Sequence, residues 1–361
     1  MGLVEARLGR PRASADNVMR RAQAAGSPLE DDEFARATEP FRRELRAHCY
    51  RMLGSVEEAE DVLQETYLRA WRSYGRFEGR SSLRVWLYRI ATNVCLTALQ
   101  HGHRRMLPSG LAGPSEDPDA EAGTAGPDVR WLEPIPDALV APESEDPSAI
   151  AAARASLRLA LIASLQHLPT RQRAVLILRD VLDLPAAEVA QMLDTSTAAV
   201  KSALQRARAR LEQVAPQAEE LAEPSEPQAL ALLDQYVEAF EQSDLALLEQ
   251  VLRTDATLEM TSSGTWFAGK HNCLRFIQRF LGSPGVYRIL PTHANGQPAA
   301  AAYRRNEDGV HRAFALVVLT ATPTGIARIT LFNDPRLLAT FGFPSIQTHV
   351  VQSPRAVHTS G

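Results

Sequence analysis

The chain has 361 residues, 45% of them hydrophobic, with 39 Lys and Arg against 43 Asp and Glu for a net charge of −4. That length exceeds one ordinary domain and supplies apolar material for two or three cores. Cys49, Cys95 and Cys273 are odd in number and lack Cys-x-x-Cys spacing, which excludes a disulfide framework or a zinc site and suits buried thiols in a reducing cytoplasm. No apolar run reaches the roughly 18 residues of a membrane helix.

Residues 1–33 carry Arg7, Arg10, Arg12, Arg20 and Arg21 but no apolar h-region, so they read as a disordered arm and not a secretory signal. Met19 is an alternative start. Residues 34–105 are helical by pattern. A helix over 41–53 ends at Gly54, a position suited to positive φ. Ser55 with Glu58 makes a capping box for the next helix. Its apolar face is Ala59, Val62, Leu63, Thr66, Tyr67 and Ala70. Asp61, Gln64, Glu65 and Arg69 stand on the other face, which by charge alone is a solvated surface.

A Gly/Ser loop around Phe77, Arg80 and Ser81 follows, with Ser81 or Ser82 capping a helix that interleaves Arg84, Trp86, Arg89 and Asn93. Aromatics beside a basic helix suit single-stranded nucleic acid, because bases stack on rings while Arg holds phosphate; a lone Trp in an apolar stripe is nevertheless more often core. The run from Asp61 to Trp71 resembles region 2.2 of the sigma-70 family. Residues 77–105, with Ser-Ser-Leu-x-x-Trp-Leu-x-x-Ile-Ala-x-Asn, resemble regions 2.3 and 2.4 of its extracytoplasmic-function (ECF) group. The resemblance implies that Asp61, Gln64, Glu65 and Arg69 meet the β′ clamp coiled coil of core RNA polymerase. It also implies that the loop and following helix, with Phe77, Arg80, Ser81, Arg84, Trp86, Arg89 and Asn93, engage the −10 element.

Residues 106–150 are rich in Pro, Gly, Asp and Glu and predict an acidic flexible linker, with one apolar patch, 131–135, able to dock. Residues 151–214 are helical again. A short helix holding Val189, Ala190 and Leu193, a turn at Asp194-Thr195 and a basic helix from 197 make a helix-turn-helix, whose second helix enters the major groove. Ser196, Thr197, Lys201 and Ser202 suit base or phosphate contact, and Gln205, Arg206, Arg208 and Arg210 suit phosphates. Without further context the same helices fit a plain bundle. Leu168-Pro-x-x-Gln-Arg173 and Val200-Lys-Ser-x-Leu-x-Arg-Ala-Arg208 resemble sigma region 4, implying −35 recognition and a contact with the polymerase β flap.

A second linker, 215–227, precedes residues 228–345. There amphipathic helices are followed by strand-like runs near 255–260, 286–292, 299–304, 312–322 and 326–332, which predict an α+β cone. Residues 346–361 read as a disordered tail. Asn295-Gly-Gln-Pro-Ala299 and Phe332-Asn-Asp-Pro335 resemble pieces of ECF factors that carry a SnoaL-like domain, the SigG-type subgroup. The expected class is therefore multidomain: two all-α sigma modules plus an α+β SnoaL-like cone. Trp266, Asn295, Asn333 and Asp334 are candidate regulatory residues. Asp255, Glu259, His271, His293, His311 and Asp334 are the polar groups an enzyme would need in a pocket, but no catalytic residue, metal or cofactor is assigned. The expected function is promoter-specific initiation with core RNA polymerase and promoter DNA as partners, in the cytoplasm and away from membranes. The third domain acts as a steric or small-molecule-responsive regulator. The alternatives are an active isomerase or hydrolase in the cone, and a ligand-responsive repressor, which leaves residues 61–105 unexplained.

Overall fold

The computed structural model describes residues 28–100, 104–142, 146–214 and 224–347. Helix α1 (Pro28–Thr38) leads through a 3-10 turn into α2 (Arg42–Leu53), α3 (Val56–Tyr74) and α4 (Leu83–Leu99). Gly54 ends α2 at φ 71°, and a Cβ there would lie 2.8 Å from Leu132 Cδ1. Conformation and space both require glycine at this corner. Ser55 Oγ accepts the Glu58 amide at 3.2 Å and starts α3. Leu45, Tyr50, Leu63, Leu87 and Cys95 are fully buried where these helices meet. The arm expected over 1–33 is helical from residue 28, because Phe34 packs edge-on against Tyr67 and Tyr74; residues 1–27 lie outside the described residues.

The acidic segment after α4 is not the flexible linker its composition predicts. β1 (Arg105–Met106) pairs in parallel with β2 (Arg130–Trp131), and α5 (Asp137–Val140) and α6 (Pro147–Ala155) follow. Two physical reasons account for the difference. Leu107, Leu132, Ile135 and Val140 are all buried, so apolar residues thinly spread in the sequence find one shared core. Arginines of the third domain also fasten the segment: Arg275 pairs with Asp119, and Arg279 Nη1 donates to the carbonyls of Pro118 and Ala120 at 2.6 and 2.9 Å.

Helices α7 (Leu159–Leu165), α8 (Thr170–Leu176), α9 (Ala186–Met192) and α10 (Thr197–Val214) form the second helical module, with a π turn, Ile177–Val181, closing α8. Asp194, at φ 49°, turns the chain between α9 and α10. Val189, Val200 and Ala207 are buried between them.

The third domain carries α11 (Glu226–Glu241), α12 (Leu245–Val251), β3 (Leu252–Met260), β4 (Thr265–Ala268), α13 (Lys270–Leu281), β5 (Tyr287–Ala294), β6 (Gln297–Arg305), β7 (His311–Thr322), β8 (Gly325–Phe332), α14 (Arg336–Thr340) and β9 (Ile346–Gln347). The sheet order is β4-β3-β8-β7-β6-β5, with β9 on β7 and only β3–β8 parallel among the main pairs. One sheet face, with Ala300, Ala302, Val317 and Ile329, packs on Tyr236, Phe276 and Ile277 of the helices. The opposite face, with Ala299, Ala301, Tyr303, Leu316 and Val318, belongs to the same core as both helical modules. Burial on both faces explains why β6 reads as a run of alanines without polar alternation. The residues around Trp266, outside the strand-like runs read from the sequence, form the edge strand β4, held by pairing with β3.

Candidate nucleic-acid interface

The outer face of α3 is open. Asp61 and Arg69 are exposed, Gln64 and Glu65 half-buried, and Arg69 Nε donates to Glu65 Oε1 at 2.7 Å one turn away. The start of this helix has a second cap that the sequence does not reveal. Glu133 Oε2 accepts from Ser55 Oγ at 2.8 Å and from the Val56 amide at 3.0 Å. Glu133 is itself held by Arg105, whose Nη1 lies 3.1 Å from Oε1 and whose Nη2 reaches Glu58 at 2.8 Å. The linker thus fixes the N-terminal turn of the acidic helix.

In the loop before α4, Ser81 is exposed and the cap is Ser82, whose Oγ accepts the Val85 amide at 3.2 Å. The rings of Phe77 and Trp86 meet at a tilt of 41° with centroids 5.0 Å apart, both partly exposed. Trp86 is therefore half-buried, packed against the helical core on one side and against the loop's Phe77 on the other. Arg80 pairs with Glu78 in solvent; Arg89 and Asn93 are exposed on the next turns. Arg84 is already engaged: its guanidinium grips both carboxylate oxygens of Glu44 at 2.8 to 3.0 Å and sits 5.0 Å over the Tyr88 ring. The hydrogen bonds to Glu44 hold its pKa above the usual arginine value. Behind this surface His48 is fully buried against Thr92, 2.9 Å away. Burial, aided by Arg51, holds its imidazole down at about 3.

On α10, Ser196 Oγ caps the helix by accepting the Ala199 amide at 3.1 Å. Thr197, Lys201, Gln205, Arg206, Arg208 and Arg210 are exposed and Ser202 half-buried; Thr197, Lys201, Gln205 and Arg208 follow one helical stripe, and Ser202, Arg206 and Arg210 the next. Arg206 reaches Ser202 Oγ at 2.6 Å. Arg208 is occupied in a bidentate pair with Asp180, at 2.9 and 2.7 Å. Arg84 and Arg208 line one cleft of about 1580 Å³ between the helical modules.

The modules meet at two hubs. Arg173 of α8 is buried and donates to the carbonyl of Met52 and to Gln166 Oε1, which locks the second module onto α2. At the β5–β6 hairpin, Asn295 is fully buried at φ 57°. Its amide nitrogen donates to Tyr50 Oη at 2.8 Å and to Leu157 O at 2.7 Å, while its side-chain oxygen accepts the Ile135 amide at 3.0 Å. One side chain therefore ties both helical modules and the linker to the sheet. Of the other regulatory candidates, Trp266 Nε1 donates to Ala112 O at 2.8 Å on the linker. Asp334 pairs with Arg336 at 2.6 Å, and the Oδ1 of the neighbouring Asn333 is buried without a hydrogen-bond partner. The four do not form one site.

The six candidate catalytic groups are not assembled either. Asp255 pairs with Arg253, Glu259 with Arg328, and His311 contacts Gly285 O, while His271 and His293 are exposed. No two of the six share a hydrogen bond or ion pair among the described residues. Sequence reasoning misses Glu133, Arg105, Tyr50 and Arg173 as organising residues. Only the apolar patch at 131–135 signals this region, since their partners are distant in sequence. Among the described residues no group of three metal-ligating side chains occurs, and no single helix is long and apolar enough to cross a membrane.

Residues 38–105 match the family described as sigma-70 region 2, and residues 158–211 match sigma-70 region 4. The chain is 49% identical over 315 residues to the ECF RNA polymerase sigma factor SigG of Mycobacterium tuberculosis, covering 86% of this chain and 84% of the relative. It is 29% identical over 297 residues to SigJ of the same organism, covering 76% and 84%. The crystal structure of M. tuberculosis SigJ superposes with a TM-score of 0.55 at 21% identity, over 84% of this chain and 97% of SigJ, which shows a shared fold.

Proposed function

This chain belongs to the ECF RNA polymerase sigma factors, and from that premise we propose how it divides the work of initiation and how it is held in check. It binds core RNA polymerase through the α3 face of Asp61, Gln64, Glu65 and Arg69. The Phe77–Trp86 loop, with Arg80, Ser81, Arg84, Arg89 and Asn93, engages the −10 element, and the outward side chains of α10 engage the −35 element. Single-strand capture fits the first set, because a ring pair beside basic residues stacks bases and holds phosphate. Major-groove entry fits the second, because α10 presents Lys201 and Gln205 one turn apart on an exposed stripe, with Arg206 exposed beside it.

The third domain is a regulator and not a catalyst. Supporting this, its sheet shares a core with both helical modules, and Asn295 joins them. Arg84 and Arg208 are each paired inside their own module, with Glu44 and Asp180, and both border the cleft between the modules. Promoter elements on separate stretches of DNA require the modules to part, so the closed form is the resting state.

The observation that carries this reading is the order of a region 2 match and a region 4 match on one chain. Run-off transcription with core polymerase tests it. The full chain should start at defined promoters, and Asp61→Ala with Glu65→Ala should lower core affinity about tenfold while leaving the fold intact, as expected for loss of two interfacial charges. Unchanged core affinity would remove α3 from the polymerase interface.

A further inference from the structure

Beside the Asn295 hub lies a cavity of about 270 Å³ that none of the proposed polymerase or promoter contacts uses. Its walls come from pieces far apart in sequence: Asp137 of α5, Arg154 at the end of α6, Arg158, Glu226 and Leu230 of α11, and His293 of β5. The cavity exists only when the cone is docked. The Gly296 amide donates to Asp137 Oδ1 at 2.8 Å, and a Cβ on Gly296 would lie 2.8 Å from Arg154 O, so the hairpin tip is seated tightly on α5 and α6.

The chemistry of the walls is two-signed. Arg154 and Arg158 supply cations, and Asp137 and Glu226 supply carboxylates. Arg154 meets Glu226 only at 3.6 Å, with the side chains 49% and 64% exposed, so this pair is worth little and yields readily to another anion. Burial holds the Asp137 carboxyl above its usual range against the opposing pull of the Gly296 amide, His293 and Arg154, and a further cationic partner would relieve that cost. Leu230, Ala229 and Pro298 add an apolar strip. A purely anionic or purely cationic ligand would leave one pair of charges opposed; a small zwitterion satisfies both.

We propose that this junction cavity binds a small α-amino acid, its carboxylate against Arg154 and Arg158, its ammonium against Asp137 and its side chain against Leu230. Because the occupant touches the cone, the linker and α6 together, it binds the docked form and strengthens docking; this regulatory consequence rests on the closed form being the resting state. The test is titration calorimetry on the full chain with each of the standard α-amino acids, and with the matching amines and deaminated acids as controls. At least one amino acid should bind one to one, and its amine and acid analogues at least about tenfold more weakly, the size expected for loss of one charge-assisted hydrogen bond. Arg154→Gln with Arg158→Gln should weaken it by a similar factor or more. Leu230→Trp, at an exposed position that disturbs no buried contact, should block it. Absence of binding by every amino acid at millimolar concentration, or binding that survives both variants, overturns the proposal. If binding behaves as expected but run-off transcription ignores the ligand, the site stands and the regulatory reading falls. If no amino acid binds yet undocking variants alter transcription, the site alone fails.

Discussion

His48 shows how one side chain sets a pH limit on the first helical module. The sequence places it on α2 among apolar residues, and in the fold it has no exposure, with Nε2 on Thr92 and Nδ1 without a hydrogen-bond partner. Its folded pKa, about 3, lies below the unfolded value of 6.5. The unfolded chain therefore binds the extra proton first, and stability is lost as pH falls below 6.5. The slope approaches about 1.4 kcal/mol per pH unit. Between pH 6.5 and about 5, above most carboxylate titration, denaturant unfolding should show this slope in the wild type. His48→Gln should flatten it, whatever its effect on stability at neutral pH. His167, also held below its usual value by burial and by Arg104, contributes with the same sign, so the difference between the two proteins isolates His48. Equal slopes would mean that His48 titrates normally and that its surroundings open at low cost.

At the scale of elements, α10 carries a testable restraint. Arg208 is one of the arginines expected to hold phosphate, yet it is bonded twice to Asp180 on the π turn after α8. DNA must replace that carboxylate to recruit Arg208. Asp180→Asn removes the competitor without removing the hydrogen-bonding shape. Affinity for a −35 duplex should rise several-fold, and the slope of log K against log salt should steepen by about 0.9, one additional phosphate contact. An unchanged slope would mean that Arg208 does not face the backbone. The sequence displays α10 plainly, because periodicity and cap residues are local. It displays Arg208 as free because the partner, 28 residues away, is fixed only by tertiary packing. The linker misleads for the same reason. Its acidity and its prolines are local signs of solvation, whereas the arginines of α13 that meet it lie more than 150 residues downstream. Trp86 and Phe77 become legible as a pair only once the loop geometry brings them to 5.0 Å.

At the scale of the molecule, the third domain is fastened by shape as much as by charge. Its sheet offers small residues, Ala299 and Ala301, to the helical modules, so backbones approach closely and the hairpin tip alone projects into the junction. Gly296 is the point of closest approach, with Arg154 backbone and Cβ atoms within 3.0 Å of a Cβ placed there. Gly296→Ala should therefore weaken docking while sparing the cone, whose own core of Tyr236, Phe276 and Ile277 lies on the other sheet face. If docking restrains the sigma modules, this variant should show a larger radius of gyration by X-ray scattering, unchanged helix and sheet content by circular dichroism, and more run-off transcript per polymerase at limiting factor. The three readouts separate the cases. Expansion with more transcript assigns the cone the role of a brake. Expansion with less transcript makes it a part needed for initiation, because the linker that caps α3 through Glu133 would then depend on the cone for its order. No expansion means that the added methyl group is absorbed by local movement of the hairpin, and that the Asn295 bonds to Tyr50 and Leu157, not the fit at Gly296, hold the molecule closed.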